Sequence, residues 1–559
     1  MQNKLIPKLI LLIIFFSYYN GISQTLTSSN LPIVVITTDI NPNTNQNIEI
    51  IDDSRIFATM KIIKHTDESR NYYSDRNTAQ HLNYDGKINI EIRGSSSQGL
   101  EKKPYGLTTL LQDNSNNNVS LLDMPKENDW ILNSLAYDPS LLRDYLSYNL
   151  SRQMGNYAPR TVYCEVVINE EYKGLYLLQE KIKVDSNRVN ILKMTTADNT
   201  APNVTGGYIT KADKTTGGDP VAWTMPSYSW SPEFIHDLPK PEEVTKPQND
   251  YIKAQFFSLA TTTGDNNISF NNGYPSVIDV PSFIDFMISN ELASNADGYQ
   301  FSTYFHKDRN GKLRAGPIWD FNLTYGNDLF DSGYDRSKTN VWQFSDGGND
   351  GAKFWTDLYN NPSYKCYLSK RWNQLSQSGQ PLNYSSLVQF IDATVSLISE
   401  ATVREKQKWD RIPNHSLEIS NLKTFLSARI SWINGRLSSF SSCNSVVTPS
   451  LVIDKINYNP IESDGFPESN DLEFIKIKNT GMTTVNLTGV YFKELGLTYS
   501  FPVNSIILSG QSIYLASNSV AFKAKYGITA FGQFTRNLSN SSQKLILVDG
   551  FGKDRKSVV

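Results

Sequence analysis

The feature that most constrains this chain is a switch of pattern at a polar, Ser-rich stretch, residues 438–450. Before it, from residue 354, apolar residues recur mainly at helical spacing. After it come short β-type runs with turn signals about every ten residues. The two patterns demand different layer arrangements. The expected architecture is an α+β domain over residues 30–440 and an all-β sandwich over 449–559, joined by a linker at 441–448. A length of 559 residues fits this division, being beyond what one hydrophobic core organises.

The N-terminus carries a second signal. Lys4 and Lys8 precede an apolar run at 9–16, and Gly21 and Ser23 supply the small residues before a cut after residue 23. This is the layout of a secretory signal peptide over residues 1–23. The run is far short of the ~20 residues that span a bilayer. The mature chain is therefore expected to have no transmembrane anchor and to be secreted or held in a bacterial cell envelope.

Composition excludes several classes. Hydrophobic residues make up 39% and aromatics 12%, which argues against long disorder. A net charge of -3 gives no broad basic field, so nucleic acid is not expected as a partner. Cys164, Cys366 and Cys443 are too few and too widely spaced for a disulfide framework or a zinc site, and allow one bridge at most. Cys164 lies in a strand-like run and reads as a small core residue. His65, His81, His236, His306 and His415 show no ligand spacing.

Within the first domain, residues 31–37 and 87–93 read as strands. The second runs into a small-residue loop at 94–97 and returns at 105–111. Asp138 and Pro139 suit the start of a helix that Gly155 ends. A hairpin over 162–168 and 173–179, a strand at 208–212 and a helix at 284–293 follow. Asn310 and Gly311 form a turn that joins strands 301–306 and 312–321.

A series of short motifs occurs in order along this domain: IEIRGSSS at 90–97, KKPY at 102–105, DWILN at 129–133, LLRD at 141–144, APR at 158–160, NEEYKG at 169–174, EKIK at 180–183, TGGYITK at 205–211, NAD at 295–297 and GPIWDFN at 316–322. The ordered set resembles the CotH kinase-like family, known from bacterial spore coats, and the likeness covers roughly residues 30–440. The second domain resembles a lamin-tail domain, an immunoglobulin-like sandwich. INYNP at 456–460, LEFI at 472–475 with Asn479, and VNLTG at 485–489 carry that likeness, while Lys476 stands where that family often has an acidic residue.

The CotH resemblance implies an α+β kinase-like fold and phosphoryl transfer from ATP or another nucleotide, with Mg²⁺ or Mn²⁺, to Ser or Thr of a protein substrate. Such chemistry needs a positioned hydroxyl, a metal on the phosphates and cations to offset charge. Asp320 and Asn322 are the metal candidates; on a strand, residues two apart share a face, with Trp319 and Phe321 turned into the core. Asn295 is a further metal candidate. Asp297 is the candidate catalytic base. Lys211, paired with Glu180, would hold nucleotide phosphates. Arg93, Ser95, Ser96, Lys102 and Lys103 form a second cationic, small-residue cluster able to cradle phosphate. Neither a Walker motif nor a Gly-rich kinase loop is present.

Export sets a condition on this reading. ATP is scarce outside the cell, so transfer belongs before or during export, or to another nucleotide. The rival reading is a catalytically inactive secreted protein whose β-sandwich binds a cell-surface ligand. A third, suggested by Tyr- and Trp-rich loops, is glycan binding or processing.

Overall fold

The computed structural model describes residues 25–215, 218–327, 335–346, 348–445, 450–462 and 465–558. The expected leader lies outside these residues, as do positions 446–448 of the expected linker and residue 449. Among the described residues no helix is long and apolar enough to cross a membrane.

The first half of the chain forms a closed barrel of β1 (Ile33–Thr38), β2 (Ile56–Ile63), β3 (Leu82–Ile92), β4 (Tyr105–Leu110), β5 (Asp129–Asn133), β6 (Thr161–Ile168) and β7 (Glu171–Glu180). Around the ring the order is β6-β7-β5-β4-β3-β2-β1. A parallel pairing of β6 with β1, Glu165 opposite Ile33, closes it. Alternate side chains point inward, so Ile36, Met60, Ile88, Leu107, Leu132, Cys164 and Leu178 fill the interior. Cys164 is thus the core residue expected of it.

Helix α1 (Arg143–Gln153) crosses between β5 and β6. It starts later than Asp138 and Pro139 suggested. The Asp138 carboxylate accepts from the backbone N–H of Ser140 at 2.9 Å and of Arg143 at 2.7 Å, and pairs with the Arg143 guanidinium. Leu141 turns through a φ of 63°. Asp138 therefore secures a turn, and the helix begins beyond it.

The second half supplies β8 (Tyr208–Ala212), β9 (Trp223–Thr224), β10 (Glu233–Leu238), β11 (Thr303–Lys307) and β12 (Leu313–Ala315), in the sheet order β9-β10-β8-β11-β12. Helices α2 (Lys246–Gly264), α3 (Val280–Ala293), α4 (Phe354–Asn360), α5 (Pro362–Ser376), α6 (Tyr384–Trp409) and α7 (His415–Asn434) accompany it. Phe256, Phe283, Phe305 and Trp355 belong to one continuous apolar core that joins sheet and helices. A capping box on Thr245 and Gln248 starts α2. The strand expected to reach residue 321 stops at Ala315. Gly316 turns through a φ of 101°, and Pro317 has no N–H for the ladder. Residues 316–322 are an irregular segment.

Two ties hold the helices. Lys102, expected in a phosphate-binding cluster, is instead fully buried and donates to Glu405 on α6 and to the Leu175 carbonyl, both at 2.6 Å. Cys366 on α5 is bridged to Cys443, with their Cα atoms 5.9 Å apart.

The C-terminal domain contains β13 (Leu451–Asn457), β14 (Phe474–Asn479), β15 (Tyr491–Phe492), β16 (Ser512–Ala516), β17 (Gly532–Gln533), β18 (Leu545–Val548) and β19 (Asp554–Val558). They form sheets β13-β14-β16-β17 and β15-β18-β19 over a core that includes Ile475, Leu487, Leu515 and Leu547. Asn479 is fully buried; its amide donates to the carbonyls of Thr483, Ile507 and Leu508 and accepts from Gly481 N–H. Lys476 pairs with Asp454 at 2.6 Å across the β13–β14 ladder.

Candidate active site

Helix α1 positions the irregular segment by a polar face. Asp144 Oδ1 accepts from Phe321 N–H at 2.7 Å, and Tyr148 Oη accepts from Asp320 N–H at 3.2 Å. Arg143 donates to the Thr324 carbonyl at 2.8 Å, and Ser147 meets the Tyr325 hydroxyl at 3.1 Å. These four residues lie one and four apart and so share one side of the helix. Asp144 is itself fixed by Asn133, which donates to it at 2.9 Å.

So held, Asp320 adopts a φ of 59° and presents its carboxylate to solvent. Asn322 Nδ2 donates to Asp320 Oδ1 at 2.6 Å, so the two side chains do meet. They do so across a turn and not along a strand face. Phe321 is buried, as expected; Trp319 is only half-buried, lying against Tyr148, Tyr304 and the Arg93 guanidinium, which is 5.7 Å from its ring.

Asp320 is open to solvent yet hemmed in by protein and by acids. Desolvation first, then Asp144, Asp297 and Asp213, push its carboxyl up to about 7, against the pull of Arg93. Burial, with Asp138 adding to it, raises Asp144 to about 6 despite its hydrogen bonds. Burial lowers the Arg93 guanidinium, and Tyr304 and Asp320 oppose that shift. A concentration of carboxylates around one open oxygen-bearing side chain fits a hard divalent cation. The Asn322 amide, having given a hydrogen to Asp320, retains a carbonyl oxygen for the same task.

Asp297 follows α3, in a turn that Asn295 builds. Asn295 Oδ1 accepts from Asp297 N–H at 3.2 Å, and its amide donates to Asn290 at 2.9 Å. Asn295 is buried, so the expected metal ligand is a brace for Asp297 instead. One Asp297 oxygen accepts from Arg336 at 3.2 Å; its side chain is 26% exposed.

The expected Lys211–Glu180 pair does not form. Glu180 is fully buried and bonds Arg160 at 2.9 Å through both backbone and guanidinium. Lys211 reaches Asp213 at 3.1 Å and Asp219 at 3.9 Å. Burial works to lower the Lys211 amine, but Asp213 and Asp237 leave it raised. Lys103 donates to the Gln98 carbonyl at 2.5 Å and so braces the loop after Arg93. The neighbouring Lys181 was not singled out in the sequence. It is exposed, and among the described residues its amine forms no ion pair; desolvation by the surrounding walls lowers it, and Asp129 and Asp237 oppose that. Its signal was its place as the first residue beyond the barrel strand that ends in Glu180.

A second group of metal-type ligands, His65, Asp75 and His81, lies between β2 and β3. The two imidazoles are stacked 3.9 Å apart at 14°, so their in-plane lone pairs lie in separate parallel planes and do not converge on one ion. His65 bonds Ser69 and Asp75 instead.

The family model described as CotH kinase protein matches residues 90–433. The chain belongs to the CotH kinase family. The Lamin Tail Domain model matches residues 445–559, in agreement with the β-sandwich. No curated protein matches the chain. Among solved structures, the Helicobacter pylori proinflammatory kinase CtkA aligns with 60% of this CotH chain and 94% of its own, at 11% identity and a TM-score of 0.28. That likeness is too slight to bear on the site.

Proposed function

We propose that this CotH-family chain is an exported, metal-dependent protein kinase that transfers a phosphoryl group from ATP or another nucleotide to a Ser or Thr hydroxyl of a protein. The observation that carries the reading is the convergence of Asp297 and Asp320 from separate elements, close enough that Asp297 raises the Asp320 carboxyl, with Arg93 acting on Asp320 in the opposite sense. Asp320 and Asn322 would hold Mg²⁺ or Mn²⁺, which offsets charge on the transferred group. Asp297 accepts the proton of the acceptor hydroxyl through the oxygen that Arg336 leaves open. Arg336, fixed on the other oxygen, orients it. Arg93 and Lys181 supply positive charge for the phosphates, with the loop at residues 94–99 beside Arg93.

The test is transfer of label from γ-labelled ATP, with Mg²⁺ or Mn²⁺, to the protein itself or to its own cell-envelope extract. Asp297→Asn should keep nucleotide and metal binding and lose transfer by about 10²-fold or more. Asp320→Ala should lose transfer together with the metal-induced rise in Tm. Wild-type protein that labels nothing under either metal would replace this reading with that of a secreted surface-binding protein.

A further inference from the structure

The two candidate carboxylates are reached from one buried point. Asp279 caps the N-terminus of α3, its Oδ1 accepting from Ser282 N–H at 2.9 Å. At its other end α3 leads into the turn that bears Asp297. The Asp279 N–H also donates to the Leu313 carbonyl on β12 at 2.8 Å, and Ala315 N–H donates to Ser282 Oγ at 3.2 Å. Strand β12 runs straight into Gly316 and Asp320. Asp279 therefore joins the helix behind Asp297 to the strand behind Asp320, and it is fully buried.

The second domain completes that junction. Tyr491 donates its hydroxyl to Asp279 Oδ2 at 2.8 Å. Arg314 of β12 bonds the same oxygen at 2.9 Å and donates to the Lys493 carbonyl at 2.8 Å. Lys312 lies 3.8 Å over the Tyr491 ring. The surrounding contact is extensive: Phe551 stacks on Tyr367 and meets Phe270 and Tyr274 edge-on, and Arg536 donates to Asn190 at 2.8 and 2.6 Å. At Gly552, φ 79°, an added Cβ would lie 2.0 Å from Pro281 Cγ, so the backbone comes directly against the first turn of α3.

We infer that the lamin-tail domain is a positioning part of the kinase site, with Tyr491 and the Lys493 carbonyl setting, through Asp279 and Arg314, the placement of the segments that carry Asp297 and Asp320. This rests on the kinase reading for its consequence but not for its geometry. Undocking exposes Asp279 Oδ2 and the Arg314 guanidinium to water and removes the two bonds, from Tyr491 and to the Lys493 carbonyl, that brace the junction of β12 with α3.

The experiment compares the full-length chain with Tyr491→Phe, Tyr491→Glu and Gly552→Leu. The readouts are small-angle scattering, site-resolved hydrogen exchange and label transfer. Tyr491→Glu and Gly552→Leu should expand the molecule and speed exchange at least tenfold at the amides of Asp279, Ala315 and Gly316. Amides inside the barrel, such as that of Val166, should keep their wild-type rates. Tyr491→Phe, which keeps the ring on Lys312, should stay compact and speed exchange at the same amides alone; a merely structural role would leave them unchanged or speed exchange everywhere. Expansion with wild-type exchange at those amides would overturn the inference, and so would failure of both disruptive variants to expand. Exchange decides the matter even if wild type transfers no phosphate. If it does transfer, opened variants that keep the wild-type rate also overturn the inference.

Discussion

Lys211 stands on β8 and Lys181 just beyond the end of β7, and they keep different company. Lys211 is held between Asp213 and Asp219, whereas the Lys181 amine has no ion pair among the described residues. An unpaired cation has more to gain from a phosphate, because a charge-assisted bond contributes about 1.5–3 kcal/mol. Lys181→Met should weaken nucleotide binding by about 10- to 100-fold, and Lys211→Met by clearly less, in calorimetric titrations with Mg²⁺ present. Asp320 gives a pH prediction. Its folded value of about 7 lies above the ordinary carboxylate range, so its protonated form favours the fold below the unfolded value, and that contribution is lost as pH rises through about 7. In metal-free buffer the Tm of wild type should fall between pH 5 and 8 more steeply than that of Asp320→Asn. With nucleotide present, the Tm rise on adding Mg²⁺ should grow over the same range. Equal pH slopes in the two proteins would contradict the assignment. At this scale the sequence offered Asp297 and Asp320 as candidates and gave no sign of which residues hold them in place. Asp297, Asp320 and Asn322 sit in motifs whose order was readable. Asp144 and Tyr148 gave no signal of their role, because a polar side of a helix that faces protein reads like one that faces solvent.

Barrel strands β1, β3, β4, β6 and β7 and helix α3 were readable from alternation and spacing, since burial of one face dictates both, whereas β2, β5 and α2 were not read. Residues 316–322 were not. Their course is imposed by α1 and by left-handed turns at Gly316 and Asp320, which leave no periodic trace. The Lys102–Glu405 tie was equally invisible, as its partners are separated by most of the domain and a pair of adjacent lysines looks like a surface feature. Lys102→Met should destabilise the chain by about 3–5 kcal/mol, because it strands a buried Glu405. Lys102→Met with Glu405→Leu should recover most of that loss in denaturant titrations. A single variant as stable as wild type would show that Glu405 finds another partner.

The whole molecule is two domains, with a covalent staple just ahead of their join. Cys366–Cys443 closes a loop of sequence separation 77, which holds α6 and α7 between its ends. Replacing both cysteines by Ser should lower stability by about 2–4 kcal/mol and lower Tm in oxidising buffer, with no change under reductant. The domain division was legible because the Ser-rich stretch interrupts two unlike patterns. The docking was not, since its contacts come from loops such as that of Lys493 and from Gly552, whose left-handed turn and lack of a side chain let the backbone meet Pro281. The staple also fixes where the sandwich starts its search for its berth. Leu451, its first strand residue, is eight positions beyond Cys443. A tether of that length holds two surfaces at an effective concentration in the millimolar range, whatever the concentration of the protein. An interface too weak to join separate molecules would therefore still be closed most of the time. Lengthening the connection by twenty Gly and Ser residues lowers that local concentration by only about sixfold. The site around Asp279 should thus be insensitive to dilution and sensitive to any ligand that competes for the sandwich face.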